Sequence, residues 1–227
     1  SFSATGLSGT LVNELVFMAG DDTLVLLFMG ALTAFIFGMG MTVTACYIFL
    51  AVVLAPALEA GGLNQLAVHL FILYWGMVSY ITPPVALGAF AASTMAGSNA
   101  MATGLEAMRL GGVIYIAPFF FVLNPALVGQ APAIDVMIAL SSALIGVAMI
   151  SAALQGYISL VGPVRGPAAL PLRVMLFFGG LLIAKPQTPL LDMGAGTSFL
   201  LGAALCALPM ALAWRAHQTE NISGSPT

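Results

Sequence analysis

Charge is what this chain has least of. Asp and Glu number 8 and Lys and Arg 5 in 227 residues, so only 6% of the chain is charged. Soluble globular proteins carry about 25%, and so few charges cannot cover a water-soluble fold of this length. The basic residues form no cluster, which removes the electrostatic footprint that nucleic-acid binding needs. Cysteine is almost absent too: Cys46 and Cys206 both lie in apolar segments. They read as small buried hydrophobes and exclude a disulfide framework. Only two histidines exist, His69 and His217, and there is no H-E-x-x-H, G-x-S-x-G or Walker A sequence. The familiar enzyme chemistries therefore have no residues to run on, and the expectation is a protein that is not an enzyme and needs no cofactor. No basic n-region precedes the first apolar run, and the chain starts at Ser1, as though cut from something longer.

What is present is apolar sequence in long uncharged runs. Hydrophobic residues make up 61% and the mean hydropathy is +1.09. After Asp22 the next charge is Glu59, and the next after that Glu106. Further gaps separate Arg109 from Asp135, Asp135 from Arg165, and Asp192 from Arg215. A spanning helix needs about 20 apolar residues, and each gap holds one. An all-α, multi-pass integral membrane protein is the class this implies, because helices satisfy their backbone polar groups internally in lipid.

Two of these runs are interrupted in the middle. Residues 23–58 would form a straight helix of about 54 Å at 1.5 Å per residue, against a hydrocarbon core of about 30 Å. That is too long for one crossing and short for two. The sequence GMGMTVT, Gly38 to Thr44, falls near its centre. A re-entrant hairpin resolves the mismatch, with one arm from Thr23 to Phe37, a tip at Gly38–Thr44 and a return to Leu58. Residues 63–97 are broken at Ser79-Tyr80-Ile81-Thr82-Pro83-Pro84. Two prolines remove two backbone donors and disfavour a helical Thr82, so the run reads as one discontinuous helix. Single helices are expected over 107–128, 134–155 and 195–214, with a shorter apolar segment at 172–184 and a loop at 156–171. Residues 7–20, with Asn13 and Glu14, read as the end of a helix, and the segment from Arg215 as a polar tail. Placing Arg109, Arg165, Arg173 and Arg215 inside is self-consistent with these segments.

Irregular backbone at membrane depth is tolerated where it is buried in protein or lines a wet cavity. Two such breaks in succession point to an ion or substrate site. Gly38 and Gly40 let carbonyls approach a ligand, and Thr42 and Thr44 supply uncharged oxygen ligands. Ser79 and Thr82 add hydroxyls at the second break, where Pro83 helps to free carbonyls. The N-terminus of the second arm suits an anionic group. The alternative at the tip is plain helix packing through small residues; at the second break it is a kink satisfied by neighbours. His69 reads as an interfacial, hydrogen-bonded histidine or as a proton relay, and Tyr74 and Trp75 as packing.

The runs GMGMTVTACYIFLAVVLAPALEAGGL, HLFILYWGMVSYITPPVALGAFAASTMAG and IAPFFFVLNPALVG, in this order, resemble the large membrane subunit of tripartite ATP-independent periplasmic (TRAP) transporters. The likeness is to the fused permeases served by the TAXI class of periplasmic binding protein, and it covers roughly residues 5–130. It implies the second inverted repeat of an elevator-type carrier over residues 1–130, with hairpin 23–58, broken helix 63–97 and helix 107–128. Residues 131–227 are then a C-terminal transmembrane extension with a polar tail. It also implies a multi-pass protein of the bacterial inner membrane that takes up an organic acid delivered by the binding protein, coupled to a cation gradient, with Na⁺ as the coupling ion. Carried over by position, Gly38, Gly40, Thr42 and Thr44 fall at the tip, and Ser79, Thr82 and Pro83 at the break, with Na⁺ at Gly38, Thr44, Ser79 and Thr82. The family pattern at the tip is closer to GMGLPTTA; here Thr42 stands in the proline position and Val43 follows. The implied partners are the remaining permease half, a small membrane subunit, the binding protein and the bilayer, with no nucleic acid. The competing reading is a membrane module that packs against a partner and transports nothing; a neighbouring gene for a periplasmic binding protein separates the two.

Overall fold

The computed structural model describes residues 22–159, 161–164, 169–184 and 195–223, together with Glu14 and Phe17, with the backbone alone described at 195 and 216–223. Most of the expected helix end at 7–20, part of the loop at 156–171 including Arg165, and Lys185 lie outside the described residues. The chain forms two compact units, Ser1–Gln130 and Ala131–Thr227.

In the first unit Asp22 starts helix α1, Thr23–Gly40, by accepting from the amides of Leu24 at 2.8 Å and Val25 at 3.4 Å. An N-cap carboxylate satisfies amides that the helix cannot. After Met41, in extended backbone, the Thr42 hydroxyl accepts from the Ala45 amide at 3.4 Å and caps α2, Val43–Val53. Pro56 then sits in the first turn of α3, Ala55–Ala60, where a missing amide hydrogen costs nothing. The return arm lies antiparallel on α1. The Cys46 thiol faces Ala34 O at 3.7 Å, the Phe37 and Phe49 rings stand 5.0 Å apart, and Leu54 and Leu58 pack over Gly30.

This is a helical hairpin, with two differences from the sequence expectation. The tip is only Met41 and Thr42, because α1 continues through Gly38 and Gly40. The outgoing arm thereby becomes long and apolar enough to cross a membrane by itself. Glycine permits a break but does not force one, and the lack of a side chain at Gly38 is used instead for close helix contact. The return arm, for its part, is interrupted at Leu54 ahead of Pro56.

Asn64 caps α4, Gln65–Val78, through the Ala67 amide at 3.2 Å. This helix is the centre of the unit. Ala67, Val68, Phe71 and Ile72 are buried against Leu26, Leu27, Ala31 and Ala34 of α1 and Cys46 and Leu50 of α2. The chain then leaves helical geometry and resumes in α5, Leu87–Ala96, so the run is broken at the expected place, with a short apolar helix on each side. The segment expected as one helix over 107–128 is several pieces: α6, Ala100–Leu110, a 3-10 turn at Gly112–Tyr115, α7, Ala117–Leu123, and a second 3-10 turn at Pro125–Val128. The axis bends by 66° between Ala100–Leu110 and Gly112–Leu123. Gly111 and Gly112 at the bend and the missing amide hydrogens of Pro118 and Pro125 account for the interruptions.

The second unit holds α8, Ala133–Gln155, a two-residue ribbon pairing Tyr157–Ile158 with Gly162–Pro163, α9, Ala169–Ala184, and α10, Ala195–Ser223. The last helix runs on past Arg215, where a polar tail is expected from sequence. Helix α9 packs on both of the others through glycine. Gly180 meets Gly146 of α8, and Gly179 meets Gly202 and Cys206 of α10. Membrane helices gain little from excluding lipid, so close approach through small residues is what holds them. Arg173 of α9 donates from Nε to Ala153 O at 2.6 Å and from Nη2 to Leu154 O. It thus satisfies carbonyls at the C-terminus of α8, the end where a positive charge is favourable. The positive-inside expectation for Arg173 is joined by this structural role.

Among the described residues, Thr23–Gly40, Ala133–Gln155 and Gly196–Arg215 are long and apolar enough to span a membrane, and the bent pair at 100–123 is a fourth if taken together. Phe28, Leu32 and Ile36 line the outside of α1, and Ile134, Met137, Ile138 and Leu144 the outside of α8. In water such stripes are aggregation surfaces; in a bilayer they are the lipid-facing side. The protein is an all-α membrane protein.

Candidate functional site

The break begins where α4 ends. Three successive amides fall back to i−3 bonding: Tyr80 to Met77 O at 3.0 Å, Ile81 to Val78 O at 3.2 Å and Thr82 to Ser79 O at 3.4 Å. Pro83 and Pro84 have no amide hydrogen to continue the ladder. Ala86 takes a left-handed conformation at φ 38°, and α5 starts after it without a side-chain cap.

Gly38 of the hairpin crosses Gly76 of α4 at the start of this region. A Cβ on Gly38 would stand 2.5 Å from Gly76 O, so only glycine fits. Just beyond, the buried Ser79 hydroxyl lies 3.0 Å from Gly38 O and 2.9 Å from Gly76 O. One hydroxyl hydrogen serves two carbonyls. Both carbonyls belong to the last turn of their helices, where backbone oxygens lack an intrahelical partner. The C-terminal ends of α1 and α4 therefore meet at one point, each carrying about half a negative charge. Neither helix has a basic residue in its last turn.

Thr82, also buried, lies within 2.7 Å of Val78 O and 2.6 Å of the Tyr115 hydroxyl. Pro83 packs over Gly104 of α6, where a Cβ would come within 2.8 Å of its Cγ.

The structure thus brings Gly38 and Ser79 into contact and puts Thr82 and Pro83 in the same break. It does not bring the tip with them. Gly40 is helical with open space around it. Thr42 and Thr44 are exposed, and the hydroxyl of Thr42 is engaged as a cap. Sequence reasoning missed Gly76, Tyr115 and Gly104. The G-x-x-S spacing of Gly76 and Ser79 was a usable signal for the first. Tyr115 was hidden by reading 107–128 as one helix.

His69 lies on α4 well before the break, with Nδ1 3.2 Å from the Tyr47 hydroxyl and Nε2 3.6 Å from a Glu59 carboxylate oxygen. It is hydrogen-bonded, as its interfacial reading expects. Tyr74 packs on Phe121 and Trp75 on Phe71 and Phe119. Arg109 pairs with Glu106 one turn before it on α6. Among the described residues no group of three or more His, Cys, Asp or Glu could hold a metal ion. The break itself, residues 79–86, carries no Asp or Glu, so its oxygens are carbonyls and hydroxyls.

The family model for the DctM component of tripartite ATP-independent periplasmic transporters matches residues 1–136. The chain belongs to this family. The match takes in the hairpin, the break and the bent segment that follows, and ends just inside α8. No curated protein and no solved structure matches the chain. As a TRAP permease component the chain has a role in transport rather than catalysis, and its family works together with a periplasmic binding protein and a small subunit.

Proposed function

We propose that this TRAP permease chain supplies half of a cation-coupled carrier for an organic acid in the bacterial inner membrane. In this reading residues 1–130 are the second inverted repeat of an elevator-type permease of the TAXI-served, fused kind. The rest of the permease and the small subunit come from elsewhere in the assembly. A TAXI-type binding protein delivers the substrate.

One observation carries the site: two uncompensated helix C-termini converge on the Ser79 hydroxyl. Each end favours positive charge, and the oxygens present are neutral. A monovalent cation such as Na⁺ fits that donor set, because it gains carbonyl and hydroxyl ligands with no buried carboxylate to neutralise. Gly38, Ser79 and Thr82 are the residues assigned to it, with Gly76 added. Gly40, Thr42 and Thr44 then stay at the tip of the hairpin, outside this set. The start of α5, on the far side of the break, has no side-chain cap, and its amides other than that of Gly88, which donates to Tyr80 O at 3.0 Å, suit the substrate carboxylate. An anion-favouring and a cation-favouring helix end on the two sides of one break are what supports reading the cycle as symport of a carboxylate with Na⁺.

The test is uptake of labelled organic acids into proteoliposomes that hold the complete transporter, with its binding protein outside. Uptake is expected to require the binding protein and to stop when the inward Na⁺ gradient is collapsed. Uptake indifferent to Na⁺ and driven by a pH gradient alone would remove sodium from the reading. Indifference to every ion gradient would remove coupling altogether.

A further inference from the structure

Three consecutive residues of the break are each held by a different residue of the bent segment after α5. Ile81 Cδ1 lies where a Cβ on Gly111 would approach to 2.9 Å, and Pro83 Cγ where one on Gly104 would approach to 2.8 Å. Between them Thr82 meets the Tyr115 hydroxyl at 2.6 Å. The two glycine contacts are apolar packing. Among the described residues of that segment, Tyr115 is the one that makes a directed polar contact with the break.

Proton counting fixes its direction. The Thr82 hydroxyl has one hydrogen and two oxygen neighbours. Val78 O, at 2.7 Å, can only accept. The Thr82 hydrogen therefore goes to Val78 O, and the Tyr115 hydroxyl donates to Thr82. The chain runs from Tyr115 O–H to Thr82 O–H to Val78 carbonyl. One lone pair of Thr82 Oγ1 is occupied by Tyr115 and one is left. The Tyr115 ring is itself fixed edge-on against Trp75, centroids 6.1 Å apart.

We propose that Tyr115 is the positioning residue of this break: its hydroxyl sets the direction of the single Thr82 lone pair left for a bound cation. The inference rests on the cation reading above and adds to it a residue from outside the hairpin and the discontinuous helix. Without the donor, Thr82 keeps its bond to Val78 but loses its tie to the neighbouring segment, and the break loses its polar anchor there. Cation affinity falls while the transport cycle itself is untouched.

The experiment is a double-mutant cycle in the complete transporter, read by the half-saturating Na⁺ concentration for uptake and by the rise in melting temperature on adding Na⁺. Tyr115→Phe keeps the ring against Trp75 and removes the donor. It is expected to raise half-saturating Na⁺ by roughly two- to tenfold, the span of one neutral hydrogen bond, with the maximal rate little changed. In a Thr82→Val background the same change is expected to add nothing. Thr82→Ser, which keeps the hydroxyl, is expected to retain the dependence on Tyr115. Melting in Na⁺-free buffer reports whether each variant folds, and Tyr115→Leu stands in should Tyr115→Phe fail to do so. A Tyr115→Phe protein with unchanged half-saturation, or with a shift that multiplies that of Thr82→Val, overturns the assignment. Wild-type transport that ignores Na⁺ overturns the cation reading first, and the inference with it.

Discussion

Gly38→Ala is expected to destabilise the first unit sharply, and Gly40→Ala, two residues away, to leave it intact. A methyl at Gly38 would stand 2.5 Å from Gly76 O, 3.0 Å from its Cα and 3.1 Å from its carbonyl carbon. These are backbone atoms of the central helix, and they cannot swing aside as a side chain can. The two helices must separate, and the Ser79 bonds to Gly38 and Gly76 must lengthen with them. Overpacking of this kind costs about 1–3 kcal/mol, which for a chain of this length lowers the melting temperature by about 2–12 °C. At Gly40 a methyl meets nothing within 4 Å, and alanine is the better helix former by about 1 kcal/mol. Thermal melts of the two variants side by side decide the matter. Equal melts would mean that the crossing at Gly38 is looser than described.

Gly180→Leu is expected to separate α8 from α9 in the second unit. A Cβ there would lie 2.7 Å from Gly146 O, 2.9 Å from Ile150 Cγ1 and 3.0 Å from Ile150 N. The neighbouring Gly179 faces the other way, where a Cβ would lie 2.6 Å from Cys206 Sγ and 3.0 Å from Gly202 O. The middle helix thus has two seams made by adjacent glycines, and bulk on one seam leaves the other closed. The expected cost is at least the same about 1–3 kcal/mol, because a branched side chain exceeds a methyl. Gly196→Ala, with open space around it, is the control. The readout is the melting temperature, with disulfide trapping between cysteines placed along the α8–α9 seam: trapping is expected to fall in Gly180→Leu and to persist in Gly196→Ala.

The hairpin and the break after Val78 were legible because they rest on strong, local signals. The lack of charge between Asp22 and Glu59 sets a length that one straight helix cannot fit, and Pro83-Pro84 leaves a helix no way to continue. The extent of the tip was not legible. Glycine in a membrane helix signals either a break or a close contact, and at Gly38 the second is realised by Gly76, a residue 38 positions on. The pieces within 100–128 were hidden because hydropathy runs evenly across Gly111-Gly112, Pro118 and Pro125, although the glycine pair was itself a punctuation mark. Of the candidate site, Ser79, Thr82 and Pro83 could be named from the break alone. Tyr115 could not, since a hydrogen bond between separate elements leaves no periodic trace in sequence. The glycine seams of the second unit follow the same rule: Gly146, Gly179, Gly180 and Gly202 show their use only once helices are laid together.

The central claim is that the oxygens gathered around Ser79 bind the coupling cation. Initial uptake rate against external Na⁺, compared between wild type and Ser79→Ala in the complete reconstituted transporter, tests it most directly. Thr94→Ala serves as the control, since that hydroxyl bonds Phe90 O on α5 and stays exposed. The expected result is a half-saturating Na⁺ concentration raised by roughly two- to tenfold, the effect of one lost hydroxyl interaction, in Ser79→Ala and unchanged in Thr94→Ala. Superimposable curves for wild type and Ser79→Ala, or a lower maximal rate with the same half-saturation, would contradict the account.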